Sequence, residues 1–223
     1  MTPIAYVRND FTSKFGIPRQ SGMIPELKSE IVFHGDYSRP EAVRGLEEFT
    51  HIWVLWEFSE AKKPEGKGWS ATVRPPRLGG NRRVGVFATR SPFRPNPIGL
   101  SCVKLEHIRI EDGKVVLEVS GADMLDGTPV YDIKPYIPFA DCRPEASEGY
   151  TAQTRQHLLT VSDPGHLLER LPEAKRAAAG ALLEQDPRPG YSDDAARIYG
   201  VMYAGYDIRF RVNGTELIVC EVI

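Results

Sequence analysis

Cysteine is scarce in this sequence of 223 residues, which has only Cys102, Cys142 and Cys220. Three cysteines spaced so widely do not form a disulfide framework, and no Cys-x-x-Cys pair is present. The five histidines also lack the paired spacing that is typical of zinc ligands. We therefore expect a protein of a reducing compartment, with no structural disulfide and no bound metal.

Long apolar runs and targeting segments are absent as well. No run approaches the roughly 18 consecutive apolar residues that a transmembrane helix needs. Residues 1–6 lead directly into strand-like sequence without the pattern of a signal peptide. We therefore expect a cytoplasmic protein that does not cross a membrane. The glycine-rich fingerprints of dinucleotide and phosphate-loop folds are also missing, which argues against a doubly wound nucleotide-binding sheet.

Acidic residues are missing from one long segment, although the whole chain is nearly neutral, with 28 basic and 30 acidic residues. Residues 70–100 contain no Asp, Glu or Lys and carry six arginines, which are Arg74, Arg77, Arg82, Arg83, Arg90 and Arg94. The guanidinium fork suits carboxylates and phosphates. Five prolines between residues 73 and 101 stiffen the loops that present these arginines. The segment therefore predicts a site for an anionic ligand.

Short strand-like runs dominate the first part of the sequence, to about residue 139. The aromatic and β-branched run at residues 51–58 is typical of a buried strand, and residues 83–89 predict another. Asp112-Gly113 lies between apolar runs and predicts a hairpin. Helical spacing occurs here only in residues 40–50. This pattern favours a β-sandwich or a β-barrel.

The composition changes after a polar linker at residues 141–154. Residues 173–185 are rich in Ala and Leu and predict an exposed helix, which Pro187 and Pro189 prevent from continuing. From residue 197 the sequence is rich in strand-like runs, and Asn213-Gly214 predicts a second hairpin. A small α+β unit therefore follows the β unit.

A second polar segment, at residues 120–136, surrounds a predicted turn. Its charged and phenolic side chains are Asp123, Asp126, Asp132, Lys134 and Tyr136. Carboxylates near cations act as acids, bases or counter-charges in many sites. Ordinary turn chemistry explains Asp126-Gly127 equally well, so a functional and a structural interpretation both remain open at this point.

Four runs of this sequence resemble those of the TrmO family (also called TsaA-like or YaeB-like), whose members are S-adenosylmethionine-dependent tRNA methyltransferases. The runs are residues 15–20 (FGIPRQ), 73–101, 125–138 and 186–189 (DPRP). The resemblance covers nearly the whole chain and is weakest between residues 143 and 182. It implies a mainly β protein, with a compact, non-Rossmann β-barrel at residues 1–141 that binds S-adenosylmethionine. A small α+β domain at residues 142–223 is expected to follow and to contact tRNA.

The same resemblance implies a reaction, a cofactor and partners. A homodimeric enzyme would transfer the methyl group of S-adenosylmethionine to the exocyclic amine of threonylcarbamoyl-adenosine, next to the anticodon of threonine tRNAs. The methyl donor is expected against ten residues, which are Arg19, Gln20, Ser59, Glu60, Arg90, Leu100, Ser120, Gly121, Ala122 and Asp123. Relatives carry His-Gln where this sequence has Ser59-Glu60, so only backbone contacts are expected to carry over there.

A general base and a carboxylate clamp are expected on the acceptor side. Because the lone pair of the acceptor amine is delocalised, the amine is a poor nucleophile, and Asp126 and Tyr136 are the two candidate bases. Arg94 or Arg77 is expected to hold the threonyl carboxylate through two parallel hydrogen bonds. Asn96 is a further candidate catalytic residue in the same loop.

Contacts with the tRNA itself are expected from the basic segment and its surroundings. The candidate phosphate and RNA contacts are Arg74, Arg77, Arg82 and Lys134. Trp69 either stacks on an unpaired base or lies in the core or in an interface. The C-terminal unit carries both acids and bases, so it is a candidate RNA grip or a domain that serves dimerisation or stability.

Two alternative functions use the same pockets. The chain could be a non-catalytic module that binds S-adenosylmethionine or RNA, or a methyltransferase for a different anionic small molecule. Turnover separates an enzyme from a binding module. Salt dependence separates a tRNA enzyme from a small-molecule enzyme, because phosphate contacts release counterions and weaken steeply as salt rises.

Overall fold

A computed structural model describes residues 1–61, 69–75, 78, 82–154, 158–188 and 194–223. The strands in these residues are β1 (Ala5–Arg8), β2 (Lys28–Phe33), β3 (His51–Glu57), β4 (Thr72–Val73), β5 (Val84–Gly85), β6 (Ile98–Glu111), β7 (Lys114–Ser120), β8 (Pro129–Pro135), β9 (Thr160–Ser162), β10 (Tyr199–Tyr203), β11 (Tyr206–Asn213) and β12 (Glu216–Val222). The α-helices are α1 (Pro138–Asp141) and α2 (Glu173–Glu184). Short 3-10 turns lie at Gly35–Tyr37, Pro40–Val43, Leu46–Glu48, Val86–Ala88, Gly149–Thr154 and Leu167–Arg170. None of the helices described is long and apolar enough to cross a membrane.

Six antiparallel strands close into a barrel in the order β1-β2-β7-β6-β3-β8. The closing contact pairs β1 with β8, where Ala5 lies opposite Val130. Side chains alternate between the two faces of a strand. Ile52, Val54 and Trp56 of β3 are therefore buried inside the barrel, while the residues between them face its outer side. The mainly β architecture predicted from the short strand-like runs is confirmed.

Both predicted hairpins form at their turn residues. Asp112 and Gly113 have φ angles of 48° and 75° and connect β6 to β7. Gly214 has a φ angle of 60° and lies between β11 and β12. Glycine adopts positive φ without a steric penalty, and aspartate tolerates it better than most residues. These two turns are therefore encoded locally.

The helix predicted at residues 40–50 is wrong in detail. The segment forms two short 3-10 turns, Pro40–Val43 and Leu46–Glu48, instead of one α-helix. Gly45 lies between them with a φ angle of 86°, which interrupts any continuous right-handed helix. The apolar spacing instead buries Val43 against the barrel core.

The strand predicted at residues 83–89 is also shorter than expected. Only Val84–Gly85 is extended and pairs with β4. The next residues turn into the 3-10 segment Val86–Ala88, in which the Thr89 N–H donates to the Val86 carbonyl at 3.1 Å. This turn places part of the basic segment outside the barrel sheet.

A second hydrophobic core underlies the C-terminal sheet, whose strand order is β10-β11-β12-β9. Helix α2, predicted at residues 173–185, packs into this core with one face, which consists of Ala178, Ala179, Leu182 and Leu183. Phe11, Ile24 and Leu27 belong to the same core, although they lie between β1 and β2 in the sequence. The loop between the first two barrel strands therefore packs with the C-terminal sheet.

Gly99 on β6 provides a stability test of the barrel interior. It lies opposite Trp56 of β3, and a Cβ built on Gly99 would overlap the Trp56 indole ring. We expect Gly99→Ala to lower the free energy of unfolding by about 1–3 kcal/mol, the usual cost of overpacking, as measured by urea denaturation. Gly85→Ala is the matched control, since a Cβ there meets no atom within 4 Å. Equal stability of the two variants would contradict the packing described here.

Candidate functional site

A hydrogen-bonded chain of three side chains runs from the barrel interior to a carboxylate. The Trp56 indole N–H donates to Ser101 Oγ at 2.9 Å, and Ser101 Oγ donates to Asp123 Oδ1 at 2.5 Å. Trp56 and Ser101 are buried, and Asp123 is half-buried. The chain holds the Asp123 carboxylate in one position before any ligand binds, because each donor is itself fixed by core packing.

The electrostatic environment of Asp123 is unusual for a carboxylate. Burial raises the pKa of Asp123 above its ordinary value, because a desolvated carboxylate is costly to ionise. The hydrogen bond from Ser101, a backbone contact with Ser21 and the positive charge of Arg90 oppose this effect. A poorly hydrated carboxylate of this kind interacts strongly with hydroxyl and cationic groups of a ligand.

Three further predicted donor-site residues join Asp123 from distant parts of the chain. Arg90 donates a hydrogen bond to the side-chain oxygen of Gln20, and the Gln20 amide donates to the Arg19 carbonyl. Arg90 also lies near enough to Asp123 to favour its ionised form. The structure thus gathers Arg19, Gln20, Arg90 and Asp123 into one cluster.

A pair of glycines allows these chain segments to approach each other. Gly22 N–H donates to the Gly121 carbonyl at 2.8 Å, and Gly121 N–H donates to the Leu27 carbonyl at 2.9 Å. A Cβ on Gly121 would lie 3.1 Å from the Gly22 Cα and nitrogen, and Gly121 has a φ angle of 74°. Only glycine satisfies both requirements at this position.

Leu100 is placed so that its backbone, rather than its side chain, lies near Ser101. Its side chain is 56% exposed. Phe58 N–H donates to the Pro97 carbonyl and Leu105 N–H to the Thr50 carbonyl, so odd-numbered residues of β6 bond toward β3. The backbone groups of Leu100 and Cys102 therefore face away from β3. Among the described strands, β7 pairs with β6 only from Lys104 onward, so these groups line an open strand edge near Ser101.

The remaining predicted donor-site residues occupy three settings. Ser59 and Glu60 are exposed in the turn that follows β3. Ala122 is buried in the barrel core. Ser120 donates to Glu106 at 2.7 Å, and Lys28, Ser120 and Lys104 together lower the pKa of Glu106 to about 2. The Ser120 side chain thus serves an ionic network, which leaves its backbone as the part adjacent to Gly121.

Neither candidate base bonds to Asp123, Gln20 or Arg90 among the described hydrogen bonds. Asp126 Oδ1 accepts a hydrogen bond from the Asn9 backbone N–H at 2.9 Å, as turn chemistry predicts. Tyr136 packs against Trp53 on the outer face of the barrel, with ring centroids 5.7 Å apart. Partial burial and the nearby thiols of Cys142 and Cys102 raise the pKa of Tyr136.

The basic segment forms an exposed aromatic and cationic surface. Arg94 Nη1 donates to the Thr89 carbonyl at 2.7 Å, and its guanidinium lies 5.9 Å from the centroid of the Phe87 ring. Phe87 is 70% exposed and Trp69 is 48% exposed, with their ring centroids 5.8 Å apart. Trp69 is therefore a surface residue in this chain. We call Trp69, Phe87 and Arg94 the aromatic patch.

The other predicted acceptor-side residues are at the surface or outside the described part of the chain. Arg74, Arg82 and Asn96 are exposed. Lys134 is exposed and pairs with Asp132 at 2.9 Å. Arg77 lies outside the described residues.

Sequence reasoning missed Trp56 and Ser101 as parts of the site. A signal was available, because Gly99, Ser101, Val103 and Leu105 occupy alternate positions of one strand, and a hydroxyl at a core-facing position needs a partner. Its partner, Asp123, is recognisable only in three dimensions. Among the described residues, no cluster of His, Cys, Asp and Glu could hold a metal ion.

Known proteins resemble this chain over nearly its whole length. Two family models match: "tRNA-methyltransferase O N-terminal domain" over residues 6–142 and "TrmO C-terminal domain" over residues 165–223. The tRNA (adenine(37)-N6)-methyltransferase of Escherichia coli (strain K12) is 40% identical over 235 residues, covering 98% of this chain and 96% of that protein. The protein of the same name from Eikenella corrodens is 48% identical over 165 residues, covering 74% of this chain and 92% of that protein.

Solved structures give the same result. The crystal structure of TrmO from Pseudomonas aeruginosa has a TM-score of 0.78 and 32% sequence identity, and the match covers 100% of this chain and 96% of that chain. The four runs that carried the resemblance lie within the two matched regions, three in the first and one in the second. The chain therefore belongs to the TrmO family of tRNA methyltransferases.

Proposed function

We propose that this protein transfers the methyl group of S-adenosylmethionine to the exocyclic N6 amine of adenine 37 in tRNA. Membership of the TrmO family, with relatives named for this reaction at 40% and 48% identity, is the observation that carries the proposal. The convergence of Gln20, Arg90 and Asp123 supports a donor pocket at one end of the barrel.

The residues of this pocket fit the chemistry of the methyl donor. S-adenosylmethionine, when bound, supplies an electrophilic methyl group on a positively charged sulfur. The half-buried Asp123 carboxylate suits the hydroxyl or amino groups of the donor, and the Arg90 guanidinium suits its carboxylate. The open backbone edge at Leu100 and Cys102 offers N–H and C=O groups of the kind that read an adenine ring. Together these groups orient the donor and exclude water from it.

The acceptor is proposed to be threonylcarbamoyl-adenosine in threonine tRNAs. This nucleoside carries a carboxylate, and the segment around Arg94 contains only positive charge among its ionised groups. One nitrogen of Arg94 is bonded to backbone carbonyls, which fixes the plane of the guanidinium for a second partner. An adenosine without the threonyl carboxylate would leave the Arg94 guanidinium without this second partner. The enzyme could therefore discriminate between modified and unmodified adenosine.

Proton removal from the acceptor amine is proposed to fall to Asp126 rather than Tyr136. A tyrosine with a raised pKa is protonated at neutral pH and accepts no proton. Tyr136 also packs with Trp53 on the outer barrel face, whereas Ser101 of the donor pocket faces the interior. Asp126 lies in the exposed turn just after Asp123 in the sequence, where a tRNA nucleotide has access.

We propose further that the protein works as a homodimer in the cytoplasm. Exposed apolar side chains support a self-association surface, notably Phe139, which is 89% exposed, and Leu100. The cytoplasm is where tRNA substrates and S-adenosylmethionine meet. Residues of the exposed basic segment, with Lys134, are proposed to contact the tRNA backbone.

The first experiment is a nucleoside mass spectrum of treated tRNA. The protein is incubated with S-adenosylmethionine and threonine tRNA that carries the threonylcarbamoyl group but lacks the methyl group. We expect one added methyl on that nucleoside and none on tRNA with unmodified adenosine. Donor binding without methylation of tRNA of verified quality would support a binding module instead. Methylation of a small anionic acceptor at a rate that does not depend on salt would support a methyltransferase for small molecules instead.

The Asp123→Asn variant separates the effect of the buried carboxylate on folding stability from its contribution to donor binding. Because its folded-state pKa is raised, ionised Asp123 destabilises the fold as pH rises above the ordinary aspartate range near 4. We expect the variant to be at least as stable as the wild type at pH 7, with the difference vanishing in acid. Donor affinity should fall about tenfold or more through loss of a charge-assisted contact.

Thermal unfolding across pH and calorimetric titration with S-adenosylmethionine measure these two effects. Asp132→Asn is the control, since Asp132 is bonded to the exposed Lys134 outside the donor pocket. A variant that loses stability at pH 7 while keeping donor affinity would refute the role assigned to Asp123.

The aromatic patch predicts a tRNA contact. Stacking of an unpaired base on an aromatic ring contributes about 1–3 kcal/mol. We therefore expect Trp69→Ala to weaken tRNA binding roughly tenfold and to leave donor affinity unchanged. Tyr37→Ala is the control, because Tyr37 is an exposed aromatic residue outside the basic segment. Unchanged tRNA affinity with conversion of a dimer to a monomer would show that the patch is a dimer contact instead.

A further inference from the structure

The loop at residues 9–27 is attached to the C-terminal domain on one side. The Phe11 ring lies 5.5 Å from the ring of Tyr203, and Lys175 on α2 forms an ion pair with Asp10. Gly16 lies so close to Val201 of β10 that a Cβ would overlap the valine side chain. These contacts fix this side of the loop against the C-terminal domain.

The same loop touches the donor pocket on its other side. Gln20 accepts a hydrogen bond from Arg90, and Gly22 is bonded to Gly121. Ser21 contacts the Asp123 carboxylate through its backbone. Residues 19–22 therefore lie between the donor pocket and the C-terminal domain.

A buried ion pair of the C-terminal domain faces this junction. Arg188 donates two hydrogen bonds to the Asp186 carboxylate, at 2.6 and 2.8 Å, and both side chains are buried. Asp186 has a φ angle of 53°, which is uncommon for a residue other than glycine. Its backbone carbonyl lies 3.5 Å from Arg19 Nη2. The ion pair thus holds the turn whose carbonyl contacts Arg19.

We propose that Arg188 is a positioning residue for the methyl-donor pocket, acting through Asp186 and Arg19 on Gln20, and that the C-terminal domain therefore controls donor affinity. This inference rests on the donor pocket assigned under the proposed function. The described hydrogen bonds of Arg188 go to Asp186 and not to Gln20, Arg90 or Asp123, so the proposed effect on the donor runs through the loop. Asp186 and Arg188, which belong to one of the four family-like runs, thereby acquire a role in this chain.

The physical argument is one of preorganisation. Removing Arg188 leaves the Asp186 carboxylate buried without this partner, which is strongly unfavourable, and the turn relaxes. Arg19 and Gln20 then lose their fixed positions. The donor has to restore that order when it binds, which reduces its affinity. The site would keep all of its own side chains and still bind more weakly.

Hydrogen exchange and donor titration test this coupling in the full-length protein. In Arg188→Met we expect faster amide exchange at residues 19–22 in the absence of ligand, unchanged exchange in β6 and β7, and about fivefold weaker binding of S-adenosylmethionine. Arg188→Lys keeps the charge but loses the two-pronged geometry, so its effect should be intermediate. Arg209→Met is the matched control, because Arg209 forms ion pairs with Asp207 and Glu221 on the exposed side of the C-terminal sheet.

The outcomes are distinguishable. Exchange at residues 19–22 and donor affinity that both match the wild type in Arg188→Met overturn the proposal. If that variant does not fold, Arg188→Lys decides by the same two measurements. Absence of donor binding by the wild-type protein overturns the assigned donor pocket instead, and the exchange comparison then still decides whether Arg188 orders the loop.

Discussion

The hydrogen bond between Ser101 and Asp123 is the contact on which the assembly of the site depends. This bond holds the Asp123 carboxylate in a position where burial raises the pKa of that carboxylate. Closure of the six-stranded barrel around Trp56 and Ser101 offsets the free-energy cost of burying the carboxylate. Gly99 leaves room for the indole ring that holds Ser101. A site built in this way is rigid before the ligand arrives, and rigidity is what alignment of a methyl group with an amine requires.

Charge is distributed unevenly along this nearly neutral protein. The arginines of the acid-free segment at residues 70–100 make two different kinds of contact. Arg90 bonds to Gln20 and lies near Asp123, while Arg94 is bonded to the backbone of its own loop and lies near Phe87. Net charge alone would not have revealed this basic segment, because the acids that balance its arginines lie elsewhere in the chain.

The two hydrophobic cores are joined by the loop at residues 9–27, which belongs to the barrel by sequence and to the C-terminal sheet by packing. Phe11, Ile24 and Leu27 are buried in the second core, whereas Gln20 and Gly22 bond to Arg90 and Gly121. Short polar contacts of this loop thereby connect the C-terminal domain to the cluster of Gln20, Arg90 and Asp123. This arrangement gives a physical reason for the two parts of the chain to act together.

Local chemistry in the sequence determined the strand-rich fold, the turns at Asp112-Gly113 and Asn213-Gly214, the helix near residues 173–185 and the acid-free segment, because each follows from neighbouring residues. The length of the strand at residues 84–85 and the loss of the helix at residues 40–50 depended on turns and pairings that local patterns do not resolve. Resemblance to a family indicated Gln20, Arg90 and Asp123. Only the tertiary structure brought Ser101 and Trp56 to Asp123 and directed Tyr136 to the outer face, since barrel closure decides which side chains share an interior.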